Sequence, residues 1–130
     1  MPQPEGKALY DAAYAGKLDE VEAAVDAGAP MEWANPDAFG GRAVHIASRR
    51  GHTDAVAFLG SRGADVNAVT DGQWTPLHYA AYNGHASVCT TLLALGADPA
   101  AKNVYGKTAL DEARRKNEAE CVAVLKAAMR

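Results

Sequence analysis

Between residues 76 and 96 the apolar positions change rhythm. Leu77, Ala80 and Ala81 fall at i, i+3 and i+4, which predicts a short helix over Pro76–Tyr82. Asn83-Gly84 breaks the pattern. Val88, Leu92 and Leu93 then fall at i, i+4 and i+5, and predict a second helix from about Ala86 to Leu95. Punctuation agrees with this reading. Thr75 stands where an N-cap belongs, and Pro76 takes the first helical position, where its missing N–H costs nothing. Gly96 ends the second helix as a residue that accepts the left-handed conformation, and Gly28 and Gly63 hold the same place earlier in the chain. Small alanines on the inner side of the first helix predict that its neighbours approach closely.

The pattern recurs. Shifted by 33 residues, Val44-His45 falls on Leu77-His78, Gly51-His52 on Gly84-His85, and Gly63-Ala64-Asp65 on Gly96-Ala97-Asp98. Thr75 falls on Thr108 in the same alignment. A fixed period of this size marks a stacked array, in which each unit buries its faces only against its neighbours. The predicted fold is all-α: a solenoid of four stacked helix-turn-helix units with connecting loops and β-turns. The units run about 6–38, 39–70, 71–103 and 104–130, and together make one domain of 130 residues. The first and last act as caps, with Glu20 and Lys126 replacing apolar outer positions.

The segment "TPLHYAAYNGHASVCTTLLALGADPAAK", Thr75 to Lys102, resembles an ankyrin repeat at nearly every framework position. The resemblance is good in "GRAVHIASRRGHTDAVAFLGSRGADVNA", partial in the outer units, and covers essentially the whole chain. The layout is similar to that of small single-module ankyrin proteins of the myotrophin type. The resemblance implies a non-enzymatic module that binds another protein through a concave face and its loop tips, as adaptor, inhibitor or assembly subunit. It also implies that His45 and His78 hydrogen-bond within and between turns, and that His52 and His85 support the inter-helix turns. Departures are specific. Unit one begins "KALY", and unit four begins "TALD", with Asp111 in place of the histidine. Unit two has Arg42-Ala43 for Thr-Pro, and Gly60 where a buried leucine is usual. A helix-interior glycine costs about 1 kcal/mol, so unit two is expected to be soft, with Phe58 filling the vacated space. The connection Pro30 to Gly41 is two residues longer than the period and is expected to protrude.

Composition narrows the partners. Thirteen basic residues oppose sixteen acidic ones, so the balance favours neither nucleic acid nor an anionic membrane. The distribution is uneven: residues 1–37 hold eight acids and two bases, and residues 38–130 hold eight acids and eleven bases. Cys89 and Cys121 fit neither a disulfide framework nor a four-ligand zinc module, and a reducing compartment follows. The N-terminus lacks the apolar run of a signal peptide. The expectation is a cytoplasmic protein, with the nucleus as alternative, monomeric on its own.

Candidate chemistry is sparse. His85 and Cys89 are i, i+4 on one helix, which is the proximity a Cys–His nucleophile needs. The bland reading, a turn histidine beside a packing cysteine, is preferred over an enzyme or metal protein. His45, His78 and a cysteine lack zinc-ligand spacing, no glycine loop has phosphate-binding form, and no cofactor is implied. Arg114-Arg115-Lys116 reads as a solvated helix end. "LGSRGADVN" resembles the pattern by which asparagine hydroxylases select ankyrin repeats, which makes Asn67 a candidate modification site; the preferred reading is an asparagine bonding loop backbone.

Function is therefore sought at positions the framework does not need. Mapped by register, the partner-binding candidates are Phe39, Arg49 and Arg50 in unit two, with Gly41 beside them. Asp71, Trp74, Tyr82 and Asn83 follow in unit three, and Tyr105, Lys107, Arg115 and Lys116 in unit four. Tyr14 is the unit-one equivalent. Trp, Tyr and Arg dominate the set, as they do among residues that carry binding energy. An exposed Trp74 is expected to serve a partner, the alternative being that Trp74 and Tyr82 pack on each other and cap the turn. The basic, aromatic surface suits an acidic segment with an apolar anchor.

Overall fold

The computed structural model describes residues 4–129. Eight α-helices form four antiparallel pairs: α1 Pro4–Ala15 with α2 Leu18–Asp26, α3 Ala43–Arg50 with α4 Thr53–Ser61, α5 Pro76–Tyr82 with α6 Ala86–Ala94, and α7 Ala109–Arg115 with α8 Ala119–Ala128. The first helices α1, α3, α5 and α7 pack side by side as one layer, and the second helices α2, α4, α6 and α8 form the other. Among the described residues there is no strand; one isolated bridge joins Asn35 to Gly41. No helix among them is long and apolar enough to cross a membrane.

The first helices of units three and four start by the same local chemistry. The Thr75 hydroxyl accepts from the His78 N–H at 3.2 Å, while His78 Nδ1 accepts from the Thr75 N–H at 3.1 Å. Thr108 and Asp111 form the same reciprocal cap, so an aspartate substitutes for the histidine in this half of its role. In α3 only one half survives: the Arg42 N–H donates to His45 Nδ1 at 2.9 Å, with no hydroxyl to return the bond. The Arg42 side chain instead pairs with Glu32 at 2.8 Å.

The layers meet over Val21, Val56, Leu59, Val88, Leu92 and Leu125, all fully buried. Ala13, Ala47, Ala80, Ala81 and Ala113 are likewise closed to solvent, which is the close helix approach that small side chains permit. At the turns, Gly51 holds φ +77° and lies directly under the His85 ring; an added Cβ would come within 2.7 Å of Nδ1. Glycine is needed there for both conformation and space.

Two expectations are corrected. The space beside Gly60 is filled by Leu95 of the following pair, whose methyls occupy the place a Cβ would take. Phe58 is half-buried and instead lies beneath the Arg62 guanidinium, 5.3 Å from the ring centroid. The long connection does not protrude as a free loop. Trp33 folds back against Gly6 and meets Tyr10 edge-on at 6.1 Å, and a 3-10 turn at Pro36–Ala38, capped by Asn35, ends at Phe39. Only that tip stands out: Phe39 is 73% exposed.

Candidate functional site

The concave face is bounded on one side by the loop tips and on the other by the turns that end the first helices. Its floor is the layer α1, α3, α5, α7. Backbone bonds tie the tips into a row, the Asp71 N–H donating to the Phe39 carbonyl at 2.8 Å and the Val104 N–H to the Gly72 carbonyl at 2.9 Å. Neighbouring tips therefore share one frame.

Two adjoining clefts open on this face. The first, about 440 Å³, lies between Tyr10, Phe39, Ile46, Arg49 and Tyr79. The second, about 680 Å³, is lined by Trp74, Tyr82, Asn83 and Arg115 and shares Phe39, Arg49 and Tyr79 with the first. Of the sequence-selected residues, Phe39, Arg49, Trp74, Tyr82, Asn83 and Arg115 thus meet in one groove. Arg50 lies beside it, 4.5 Å over the Tyr14 ring, and Lys116 sits 4.9 Å over the Tyr82 ring. Asp71, Lys107 and Tyr105 belong to the tips, with Tyr105 77% exposed.

Two placements differ from expectation. Gly41 is buried and bridged to Asn35, so it supports the tip and lines the first cleft with backbone alone. Trp74 is half-buried. Its ring packs against Tyr79 at 5.1 Å, His78 at 5.6 Å and Tyr82 at 5.6 Å, and so the indole is a wall of the groove more than a free anchor. Tyr10, Ile46 and Tyr79 were not selected from sequence. A signal existed: Ile46, Tyr79 and Glu112 are 33 apart and fall in one inner row. Tyr10 stands 35 before His45, in the histidine's register, and hides behind the longer connection.

Charge on the face is divided. Arg115 is engaged by the buried Glu112 carboxylate, at 2.8 Å through Nη2, and Asn103 holds the other oxygen at 2.9 Å. Among the described ion pairs, none involves Arg49, Arg50 or Lys116. These three cations sit at the turn side of the groove. The exposed acids Asp37 and Asp71 sit at the tip side.

The histidines are structural. His45 Nε2 donates to the Ala68 carbonyl at 2.8 Å and to the Trp74 carbonyl at 3.2 Å, while His78 Nε2 donates to the Lys107 carbonyl at 2.8 Å. With Nδ1 already accepting a backbone N–H, each ring is held as the neutral tautomer. Burial lowers both, His45 to about 4, against the opposing pull of its carbonyl partners. His52 and His85 reach back to the preceding pair, donating from Nε2 to the Tyr14 carbonyl at 3.0 Å and the Arg49 carbonyl at 2.9 Å. Cys89 and Cys121 are free and buried. Burial pushes the Cys89 thiol far up, which is the reverse of nucleophile activation. Among the described residues no cluster of three His, Cys, Asp or Glu is arranged to hold a metal.

Asn67 bonds loop backbone in the next unit. Its Oδ1 accepts from the Asp98 N–H at 2.8 Å and its Nδ2 donates to the Gly96 carbonyl at 3.2 Å. Glu32, in the same register, accepts from the Asp65 N–H at 2.9 Å.

Comparison with known proteins agrees with this architecture. Residues 9–103 and 69–129 match the family model described as ankyrin repeats (3 copies). RelA-associated inhibitor of Mus musculus is 36% identical over 121 residues, covering 90% of this chain and 14% of that protein. Protein phosphatase 1 regulatory subunit 12A of Mus musculus is 39% identical over 74 residues, 57% of this chain and 7% of that protein. The E3 ubiquitin-protein ligase hecd-1 of Caenorhabditis elegans is 36% identical over 116 residues, 89% of this chain and 4% of that protein. The chain therefore spans a small fraction of each relative's length.

Proposed function

The chain belongs to the ankyrin-repeat family, and on that premise we propose that it is a non-enzymatic module holding a segment of another protein on its concave face. It acts as adaptor, inhibitor or assembly subunit, and its four helix pairs form one domain in which the outer pairs are caps. The supporting observation is the pair of adjoining clefts, with Arg49 shared by both and in no ion pair among the described residues. Aromatic walls and an unpaired guanidinium are the side chains that dominate protein-binding energy. Two of the similar proteins carry regulatory names, an inhibitor and a phosphatase regulatory subunit, in keeping with a module that acts by occupying a partner. The partner segment is acidic with an apolar anchor, since residues 38–130 carry the basic excess.

The test is site-specific photocrosslinking in extract of the source cell. A photoreactive residue replaces Phe39 or, as a control on the outer helix layer, Thr90. A partner crosslinked from position 39 and absent from position 90 supports the reading. A partner captured equally from both, or only from 90, overturns it.

A further inference from the structure

The groove differs in charge across its width. On the turn side stand Arg49, Arg50 and Lys116, none in an ion pair among the described residues; on the tip side stand Asp37 and Asp71, both exposed, with Lys107 at the unit-four tip. Resting on the reading above, we infer that the occupant is a sided segment of a partner protein. Its carboxylates lie only along the turn edge, and one apolar side chain enters the cleft between Phe39 and Tyr79.

Three observations carry this. First, the cations are already oriented. Arg50 lies over Tyr14 at 4.5 Å and Lys116 over Tyr82 at 4.9 Å, so two of the three sit on aromatic faces before any partner arrives. Orientation in advance lowers the entropy cost of engaging a carboxylate. The register repeats this arrangement: Tyr14, Arg49, Tyr82 and Arg115 occupy one position in successive pairs, offset by 35, 33 and 33. Second, the other arginines near the groove are already neutralised. Arg115 is held by Glu112 and Arg42 by Glu32, each at 2.8 Å, so among the described ion pairs the unspent cations beside the groove are Arg49, Arg50 and Lys116 on the turn edge and Lys107 alone at the unit-four tip. Third, the cleft is lined by Ile46 and the rings of Tyr10, Phe39 and Tyr79, with Arg49 and Asp37 as its charged lining residues. An apolar side chain seated there brings the adjoining residue of its own chain to Arg49, where a carboxylate accepts from the guanidinium. A carboxylate at the opposite edge would face Asp37 or Asp71 and be repelled.

The probe is a phage-displayed library of random dodecapeptides selected on the full chain. Binding of one selected peptide is then followed by fluorescence anisotropy. The expected pool is rich in Asp or Glu next to Leu, Phe or Trp. Arg49→Glu with Arg50→Glu weakens that peptide by about tenfold or more, the scale of one lost charge-assisted hydrogen bond. A peptide with Lys for its acids recovers binding on that variant. Asp37→Asn with Asp71→Asn leaves binding unchanged or tightens it, since Asp37 lines the same cleft as Arg49 and repels the peptide's acids. Two results overturn the inference and leave the binding-face reading intact: a pool that needs Phe39 but has no acidic enrichment, or equal sensitivity at both edges. Peptides indifferent to Phe39→Ala and to every charge variant overturn both readings.

Discussion

Acidification should destabilise this protein through its buried histidines, well before the carboxylates titrate. His45 is 3% exposed and His78 1% exposed, and each ring accepts a backbone N–H at Nδ1, so neither can take a proton without losing that bond. The folded value of His45 lies near 4, against 6.5 in the unfolded chain. At pH 7 both states are neutral and the pair makes no pH-dependent contribution. As pH falls below 6.5 the unfolded chain gains a proton that the folded chain refuses, and stability is lost down to the folded value. Each pH unit crossed between those two values costs about 1.36 kcal/mol, so at pH 5 His45 alone removes about 2 kcal/mol. His78 is lowered in the same direction and adds to the loss. The lowered carboxyl of Asp111 acts in the same direction but only below its unfolded value of 3.8, outside this window. The assay is urea unfolding by far-UV circular dichroism at pH 7, 6 and 5, with the histidine ring protons followed by NMR. The expected result is a fall of at least about 2 kcal/mol between pH 7 and 5, with the His45 ring still neutral at pH 5. In His45→Gln, where nothing titrates, the fall shrinks by about that amount. Equal stability at pH 7 and 5, or a His45 ring titrating near 6.5, refutes the reasoning.

Three further outcomes are expected. Ser48 is fully buried with an unpartnered hydroxyl, at a position that is Ala13 and Ala81 in neighbouring pairs; Ser48→Ala should raise stability by about 1 kcal/mol, read as a higher urea midpoint at unchanged slope. Gly60→Ala should gain less than the roughly 1 kcal/mol of helix propensity while Leu95 occupies the site, and the full amount in a Leu95→Ala background; a double-mutant cycle with no coupling counts against the Gly60–Leu95 fit. Gly51→Ala should cost at least about 1–2 kcal/mol, because alanine is strained at φ +77° and its Cβ meets the His85 ring; a thermally unchanged variant would show that the ring is free to move.

Much of the fold was readable because it is local. Helix α5 runs Pro76–Tyr82 and α6 runs Ala86–Ala94, against expected ends at Tyr82 and Leu95. Those ends are set by Thr75, Pro76 and Gly96, residues that act on their own turn and carry the same meaning in any context. Glu20 and Lys126 are exposed, and Arg114 stands exposed in the register of the buried Ala81.

What the one-dimensional pattern lacked was which side chain of the next pair meets a given site. Gly60 reads as a defect, and only stacking reveals Leu95 seated over it, 35 residues away in sequence. Trp74 could be read as an exposed anchor or as packed on Tyr82 of its own unit; the structure has it against both Tyr79 and Tyr82. Glu32 and Asn67 look unrelated until the layers align and both accept from an aspartate N–H of the next loop. Tyr10 and Ile46 became groove residues only when the insertion before Gly41 had been folded back by Trp33 against α1. Periodicity along the chain determined the elements and their order. The two clefts were decided by packing between pairs, because they bring together residues of different units, Tyr10, Arg49, Tyr82 and Arg115 among them.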